Sequence, residues 1–148
     1  MIDIIKKQLF EITSDCDDEI ANLSNISAIL SDNISDINWV GFYIVKNNNL
    51  ILGPFQGKKA KTKIEYGNGV CGKCWEMNQT IVVDNVHEFE NHIACDIRSN
   101  SEIVIPLHKK GIFFGVLDID SISYSRFSNN DKENLENIAK YIEEIISK

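Results

Sequence analysis

Residues 102–120, EIVIPLHKKGIFFGVLDID, contain two apolar runs that are rich in β-branched residues. The runs are EIVIPL (102–107) and IFFGVLDID (112–120), and Lys109-Lys110-Gly111 lies between them as a turn signal. This pattern predicts a β-hairpin and therefore an antiparallel sheet.

Further strand signals lie upstream. INWVGFYIVK (37–46) and LILGPF (50–55) flank Asn47-Asn48-Asn49, which indicates a second hairpin. Residues 62–66 and 81–84 are shorter strand candidates. Between them, GNGVCGKCWEM (67–77) predicts a glycine-rich turn that leads into a short helix.

The two ends of the chain have helical patterns. Residues 2–33 carry apolar residues three or four apart, and Cys16 falls on this stripe, so we expect it in the core. Near the C-terminus, Ser128 followed by Asp131 predicts a capped helix start. Helices at both ends of a hairpin-rich segment indicate one α+β domain over residues 1–148.

Composition limits the class of protein. The 148 residues are 43% hydrophobic and 25% charged, as in ordinary globular domains. A net charge of −7 disfavours nucleic-acid binding, which needs clustered Lys and Arg. The apolar runs are too short for a membrane span, and the N-terminus, MIDIIKKQLFE, is not a signal peptide. We therefore expect a cytoplasmic protein with no membrane partner, in which the four cysteines are not a disulfide framework.

Three interpretations of the cysteines are open from the residues. Cys71, Cys74, His92 and Cys95 have the spacing of a Cys₃His zinc site. Alternatively, Cys71 to Cys74 is a thioredoxin-like CxxC motif at a helix start.

In the third interpretation Cys95 is a nucleophile and Cys71 its resolving partner. Cys95 lies in a polar segment, where His92 or Arg98 could raise its thiolate fraction. Attack on an oxidised sulfur would convert Cys95 to a sulfenic acid, which condenses with a second thiol to a disulfide.

A group of acids accompanies these thiols. Asp118 and Asp120 are two residues apart on a predicted strand, so their side chains share one face. Glu102 opens the partner strand of the hairpin and could place a third carboxyl nearby. Mutual repulsion would raise the pKa of such carboxyls. Periodicity alone, however, favours a solvated strand end.

Several motifs together resemble the free methionine-(R)-sulfoxide reductases, which are single GAF-domain enzymes. They are INWVGFY (37–43), LGPFQGK (52–58), YGNGVCG (66–72), DNVHEF (84–89), HIACDIRSNSEIVIPL (92–107), GVLDIDS (115–121) and RFSNND (126–131). The resemblance implies a six-stranded antiparallel sheet, with the N- and C-terminal helices packed on one face, and a homodimer.

The resemblance also implies an activity. Such an enzyme reduces the R-epimer of free L-methionine sulfoxide, and thioredoxin then reduces its intramolecular disulfide. On this basis Cys95 is the nucleophile and Cys71 forms the disulfide with it. We expect no metal and no cofactor.

The resemblance gives roles to further side chains. Glu102, Asp118 and Asp120 match acids around the substrate, and Glu102 or Asp120 is expected to protonate the sulfoxide oxygen. Trp39 and Tyr43 match aromatic residues of the pocket that receives the methylthio end.

One position departs from the family pattern. Many members have a third cysteine ten residues before Cys71, where this chain has Lys61. Recycling must then rely on Cys71, with Cys74 as an additional thiol. A GAF domain that senses a small molecule without turnover is the alternative from another class, although a sensor has no need of Cys95 among acids.

Overall fold

A computed structural model describes residues 2–93 and 96–148, which form an α+β domain around one sheet. The six strands are all antiparallel to their neighbours, in the order β3-β2-β1-β6-β5-β4. Their bounds are Trp39–Lys46 (β1), Asn49–Gln56 (β2), Lys63–Ile64 (β3), Ile81–Val83 (β4), Ser101–Lys109 (β5) and Ile112–Ser121 (β6). Both predicted hairpins are confirmed.

The hairpin turns have the backbone conformation that their residues favour. Asn47 and Asn48 have φ of 51° and 64°, and Lys110 and Gly111 have φ of 51° and 82°. Two consecutive positive φ values are the signature of a type I′ turn, whose twist matches that of the flanking strands. These two-residue turns fix the register in which β1 meets β2 and β5 meets β6.

Four helices accompany the sheet. They are Ile2–Thr13 (α1), Glu19–Asn33 (α2), Gly69–Met77 (α3) and Asn129–Ile146 (α4), with a short 3₁₀ turn at Val86–Glu88. Among the described residues, no helix combines the length and apolar content that a membrane crossing requires.

The N-terminal segment is two helices, with Cys16 in the connection between them. The prediction that Cys16 is a core residue is wrong, because its side chain is partly exposed. Asp18 ends the connection by accepting a hydrogen bond from the Ala21 backbone N–H at 2.8 Å, which caps α2. Because the cap starts a new helix, the apolar stripe does not continue from one helix to the next. Ile12 and Ile20, which belong to that stripe, are 46% and 68% exposed.

Alternation along the strands divides the core into two layers. One face of the sheet is covered by α1, α2 and α4, as expected for the terminal helices. Its sheet residues include Val40, Phe42, Ile103, Leu117 and Ile119. The opposite face carries α3, and its sheet residues include Trp39, Tyr43, Val104 and Val116. Glu102, Asp118 and Asp120 alternate in step with this second set, so their three side chains lie on the sheet face that α3 covers.

Candidate active site

Three carboxyl side chains meet on the α3 face of the central strands. Glu102 of β5 is directly opposite Asp120 of β6. Asp118 lies two residues before Asp120 on β6, opposite Val104. Their exposures are 2% for Glu102, 0% for Asp118 and 2% for Asp120. The expectation of a solvated strand end is therefore wrong, because burial under α3 and the neighbouring connections is not visible in strand periodicity.

Burial makes these carboxyls bind protons more strongly than usual. The pKa of Glu102, Asp118 and Asp120 is in each case raised well above its ordinary value, with loss of solvation as the largest cause. Charge repulsion adds to it, from Asp120 on Glu102, from Glu102 on Asp118 and from Asp118 on Asp120. The cluster is suited to hold a proton and release it to a buried acceptor.

Cys71 brings a thiol to these acids. Its residue is buried in α3, and its Sγ lies 3.4 Å from Asp118 Oδ2. The Cys71 Sγ atom and one carboxyl oxygen each of Glu102 and Asp118 all lie within 4.8 Å of one another. This group has the donor atoms for a divalent ion, and because the pKa of both acids is raised, a metal would have to compete with protons for them.

Cys74 has a different environment, although it is only one turn away. Its Sγ donates to the Val104 carbonyl oxygen at 3.7 Å, and the residue is fully buried. Burial, followed by the charges of Asp118 and Glu102, raises the pKa of this thiol. A thiol held in this way is inert rather than reactive.

The Cys₃His zinc interpretation finds no support in the described residues. Cys71, Cys74 and His92 do not form a common group of ligand atoms there. Cys71 points to Asp118, Cys74 to Val104 and His92 to Glu102.

The predicted nucleophile Cys95 lies outside the described residues, as does Ala94. The residues before it contact the cluster and α3. His92 Nε2 lies 3.1 Å from Glu102 Oε1. Ile93 packs against Gly69, where a Cβ would come within 3.0 Å of Ile93 Cδ1; Gly69 also has φ of +64°, which favours glycine.

The residues after it are also anchored. The Asp96 carboxylate accepts hydrogen bonds from Arg98, including one from Nη2 at 2.7 Å, and these bonds hold its pKa well below the ordinary value. Ser99 donates to Asp120 Oδ2 at 3.5 Å and accepts from Asn38 Nδ2 at 3.0 Å. Of the two bases expected near the thiol, Arg98 is paired with Asp96 and His92 with Glu102. Burial also lowers the pKa of His92.

Two acceptors at this end of the site are buried and unused. Within residues 2–93 and 96–148, Asn38 Oδ1 and Asp120 Oδ1 have no hydrogen-bond partner. A buried acceptor without a donor is costly unless a ligand or water satisfies it. Asn38 and Ser99 were not among the predicted site residues; each is in one of the motifs quoted above, INWVGFY and HIACDIRSNSEIVIPL.

The predicted aromatic residues form a buried stack on the same face. Trp39 is 1% and Tyr43 0% exposed, and their ring centroids are 6.1 Å apart. Phe55 of β2 stacks on Trp39 at 5.2 Å, a third ring that pattern reasoning missed although it lies in the LGPFQGK motif.

Hydrogen bonds tie this stack to the segment after β2. Trp39 Nε1 donates to the Lys58 carbonyl oxygen at 3.0 Å, and the Tyr43 hydroxyl donates to the Lys61 carbonyl oxygen at 2.8 Å. The backbone of Lys61, which stands where the family resemblance places a third cysteine, is thus hydrogen-bonded to the aromatic stack, while the Lys61 side chain is exposed.

Known proteins that are similar to this chain in sequence and in structure agree with the family resemblance of its motifs. The family model for the GAF domain matches residues 18–146. The free methionine-R-sulfoxide reductase of Escherichia coli is 46% identical over 128 residues, which cover 86% of this chain and 78% of that protein.

Two solved structures are also similar. The reduced form of fRMsr of Staphylococcus aureus superposes with a TM-score of 0.93 at 50% identity, covering 98% of this chain and 94% of that one. The free methionine-R-sulfoxide reductase of Neisseria meningitidis, in complex with its substrate, has a TM-score of 0.92 at 39% identity, covering 98% of this chain and 87% of that one. The chain therefore belongs to the free methionine-R-sulfoxide reductase family of GAF-domain proteins.

Proposed function

We propose that this protein reduces free L-methionine-(R)-sulfoxide to L-methionine. The observation that carries the proposal is a thiol, Cys71, in contact with a buried cluster of three carboxyls of raised pKa. Sulfoxide reduction by thiols needs both a nucleophilic sulfur and a proton for the departing oxygen. The identity with the Escherichia coli enzyme supports the same substrate.

Cys95 is the proposed nucleophile. Support comes from its described neighbours, since His92 and Ser99 contact Glu102 and Asp120 of the acid cluster. The Cys95 thiolate attacks the sulfoxide sulfur, and a carboxylic acid protonates the oxygen. As the oxygen passes to Cys95, the sulfur–oxygen bond of the substrate breaks. Methionine, cysteine sulfenic acid and a carboxylate result.

Cys71 is the proposed resolving thiol. Its sulfur attacks the sulfenic sulfur of Cys95, a disulfide forms, and the oxygen leaves as water with the thiol proton. Cys74 is unsuited to this step because burial raises its pKa and its Sγ is directed at the Val104 carbonyl. With Lys61 in place of a third cysteine, no thiol of the preceding segment competes with Cys71.

The remaining groups are proposed to bind the substrate. Asp120 Oδ1, a buried acceptor with no partner among the described residues, is suited to receive the substrate ammonium. The Trp39 and Tyr43 rings supply an apolar wall for the methylthio end. With Asp120 assigned to the ammonium and Asp118 in contact with Cys71, Glu102 is the proposed group that protonates the oxygen.

Thioredoxin as reductant and a homodimeric assembly belong to the same proposal and rest on the family resemblance alone. The cytoplasmic location expected from the sequence likewise stays a prediction.

The test is turnover of pure L-methionine-(R)-sulfoxide with dithiothreitol, followed as methionine formed. Wild type and Cys74→Ala should turn over, and Cys95→Ser should not. The S-epimer is the matched control for stereochemistry. Failure of the wild type to produce methionine would refute the reductase and favour a sensor that binds without turnover.

A further inference from the structure

The contact between His92 and Glu102 has no role in the steps above. His92 Nε2 lies 3.1 Å from Glu102 Oε1. The two side chains differ in access to solvent, with 15% of His92 and 3% of Glu102 exposed. His92 is therefore a polar partner that connects the buried acids to the partly exposed connection before β5.

The surroundings of this contact set its protonation. Asp118 and Asp120 of β6 and Cys71 and Cys74 of α3 are the titratable groups that the described structure brings around Glu102. Burial lowers the pKa of His92 and raises that of Glu102, and both shifts favour a neutral imidazole facing a protonated carboxyl. In that state Glu102 can donate its proton in a hydrogen bond to His92 Nε2.

The other two acids have partners of another kind. Cys71 is hydrogen-bonded to Asp118, and Ser99 donates to Asp120; both contacts favour the ionised carboxylate. A neutral imidazole nitrogen can instead accept a hydrogen bond from a protonated carboxyl. The three carboxyls also hydrogen-bond one another. The contact with an imidazole outside the cluster is what distinguishes Glu102 from Asp118 and Asp120.

We propose that His92 is a positioning residue that fixes the Glu102 carboxyl, through the Nε2 to Oε1 hydrogen bond, as the general acid of the reaction. This inference rests on the proposed function. In the first step the Cys95 thiolate attacks the sulfoxide sulfur and Glu102 gives its proton to the oxygen; the oxygen passes to Cys95 as the substrate sulfur–oxygen bond breaks and methionine is released. Glu102 becomes a carboxylate, and a proton from solvent restores the acid at the contact with His92.

The test measures the first turnover of pre-reduced enzyme mixed with excess L-methionine-(R)-sulfoxide and no external thiol. His92→Ala should lower the maximal rate about 10- to 100-fold, less than the roughly 100- to 10,000-fold effect of a general acid itself, because His92 acts through Glu102. The half-saturating substrate concentration should change less than about twofold. His92→Gln retains an amide hydrogen-bonding group and should give an intermediate rate.

Added imidazole separates positioning from general loss of packing. It should raise the rate of His92→Ala and have no effect on Glu102→Gln or on the double variant His92→Ala/Glu102→Gln. A maximal rate of His92→Ala within twofold of wild type would overturn the inference. So would absence of rescue in a His92→Ala protein with wild-type circular dichroism, or rescue of the double variant.

His87→Ala is the matched control. His87 is in the same connection and bonds Asn100 Oδ1 at 2.8 Å instead of a carboxyl, so the rate should not change. If wild type and His87→Ala turn over while His92→Ala does so equally well, only the inference fails. If wild type forms no methionine, both the inference and the proposed function fail.

Discussion

At the scale of single residues, the site combines groups that would each be unfavourable in an ordinary core. Glu102, Asp118 and Asp120 are almost completely buried without a described cationic side chain among them. Buried carboxyls of raised pKa lower stability near neutral pH, and such groups are typical of functional sites. Variants that remove one of these carboxyls should therefore gain stability and lose activity.

Asp118→Asn should make the protein more stable and less active. The amide removes a carboxyl from the cluster while keeping its shape, so the free energy of unfolding near neutral pH should rise by about 1 kcal/mol, or about 2–4 °C in Tm. Reductase activity should fall at least about tenfold. Thermal unfolding and methionine formation check the two parts.

Asp131→Asn is the contrasting variant. Asp131 accepts hydrogen bonds from the Ser128 backbone N–H and from Arg126, so its loss should lower Tm and leave activity unchanged. A lower Tm for Asp118→Asn would contradict the view that the buried carboxyls are destabilising.

Cys71→Ala and Cys74→Ala should separate a reactive thiol from a structural one. Cys74→Ala should cost about 1 kcal/mol of stability through the cavity left in the core and preserve thioredoxin-supported turnover. Cys71→Ala should abolish thioredoxin-supported turnover and retain reduction with dithiothreitol, which can attack the sulfenic acid itself. Steady-state assays with each reductant make the comparison.

Mass spectrometry adds a second check on the same pair. After one turnover without reductant, wild type and Cys74→Ala should contain the Cys71–Cys95 disulfide. A Cys74–Cys95 disulfide in the wild type would contradict the assignment of Cys71.

At the scale of elements, the position where α4 begins is determined by hydrogen bonds within its own first turn. The Ser128 hydroxyl accepts from the Asp131 backbone N–H at 3.1 Å, and the Asp131 carboxylate accepts from the Ser128 backbone N–H at 2.9 Å. This capping box satisfies two donors that the helix start would otherwise leave without partners. The helix then packs Leu135, Ile138 and Ile142 against the sheet, on the face opposite the acids.

Ser128→Ala should lower the free energy of unfolding by about 1 kcal/mol, since the Asp131 N–H loses its acceptor. The activity of the folded enzyme should be unaffected because α4 does not line the acid cluster. Urea denaturation measures the change. Asn130→Ala, an exposed position in the same turn, should change stability by less than about 0.5 kcal/mol; an equal loss in both variants would count against the cap.

At the scale of the whole molecule, the acids make stability depend on pH. Unfolded Asp and Glu release their protons above about pH 4, whereas Glu102, Asp118 and Asp120 retain theirs to higher pH in the folded chain. Folding therefore binds protons in this range, and the cluster lowers stability as pH rises from about 4.

The measured quantity is the difference in free energy of unfolding between Asp118→Asn and wild type. It should be small near pH 4 and increase towards neutral pH. Asp96→Asn should show the opposite sign, because Asp96 has a lowered pKa and its contribution is present above about pH 4 and lost in acid. A difference for Asp118→Asn that does not vary with pH would contradict the raised pKa.

Much of this structure follows from the sequence by itself. Local chemistry determined the two hairpins at Asn47-Asn48 and Lys110-Gly111, the capped start of α4 and the parity that puts Asp118 and Asp120 on one face. These features depend on residues close in the chain, where turn propensity, capping and alternation act directly. The quoted motifs identified the family.

Tertiary structure decided what those side chains experience. The break at Cys16, the burial of the acids and the contrast between Cys71 and Cys74 depend on which distant surface covers each residue. The contacts of His92 with Glu102 and of Ser99 with Asp120 join a connection to strand residues across the sheet face. Desolvation and hydrogen bonding, which set the pKa of a group, arise from packing between such segments and are not encoded in local periodicity.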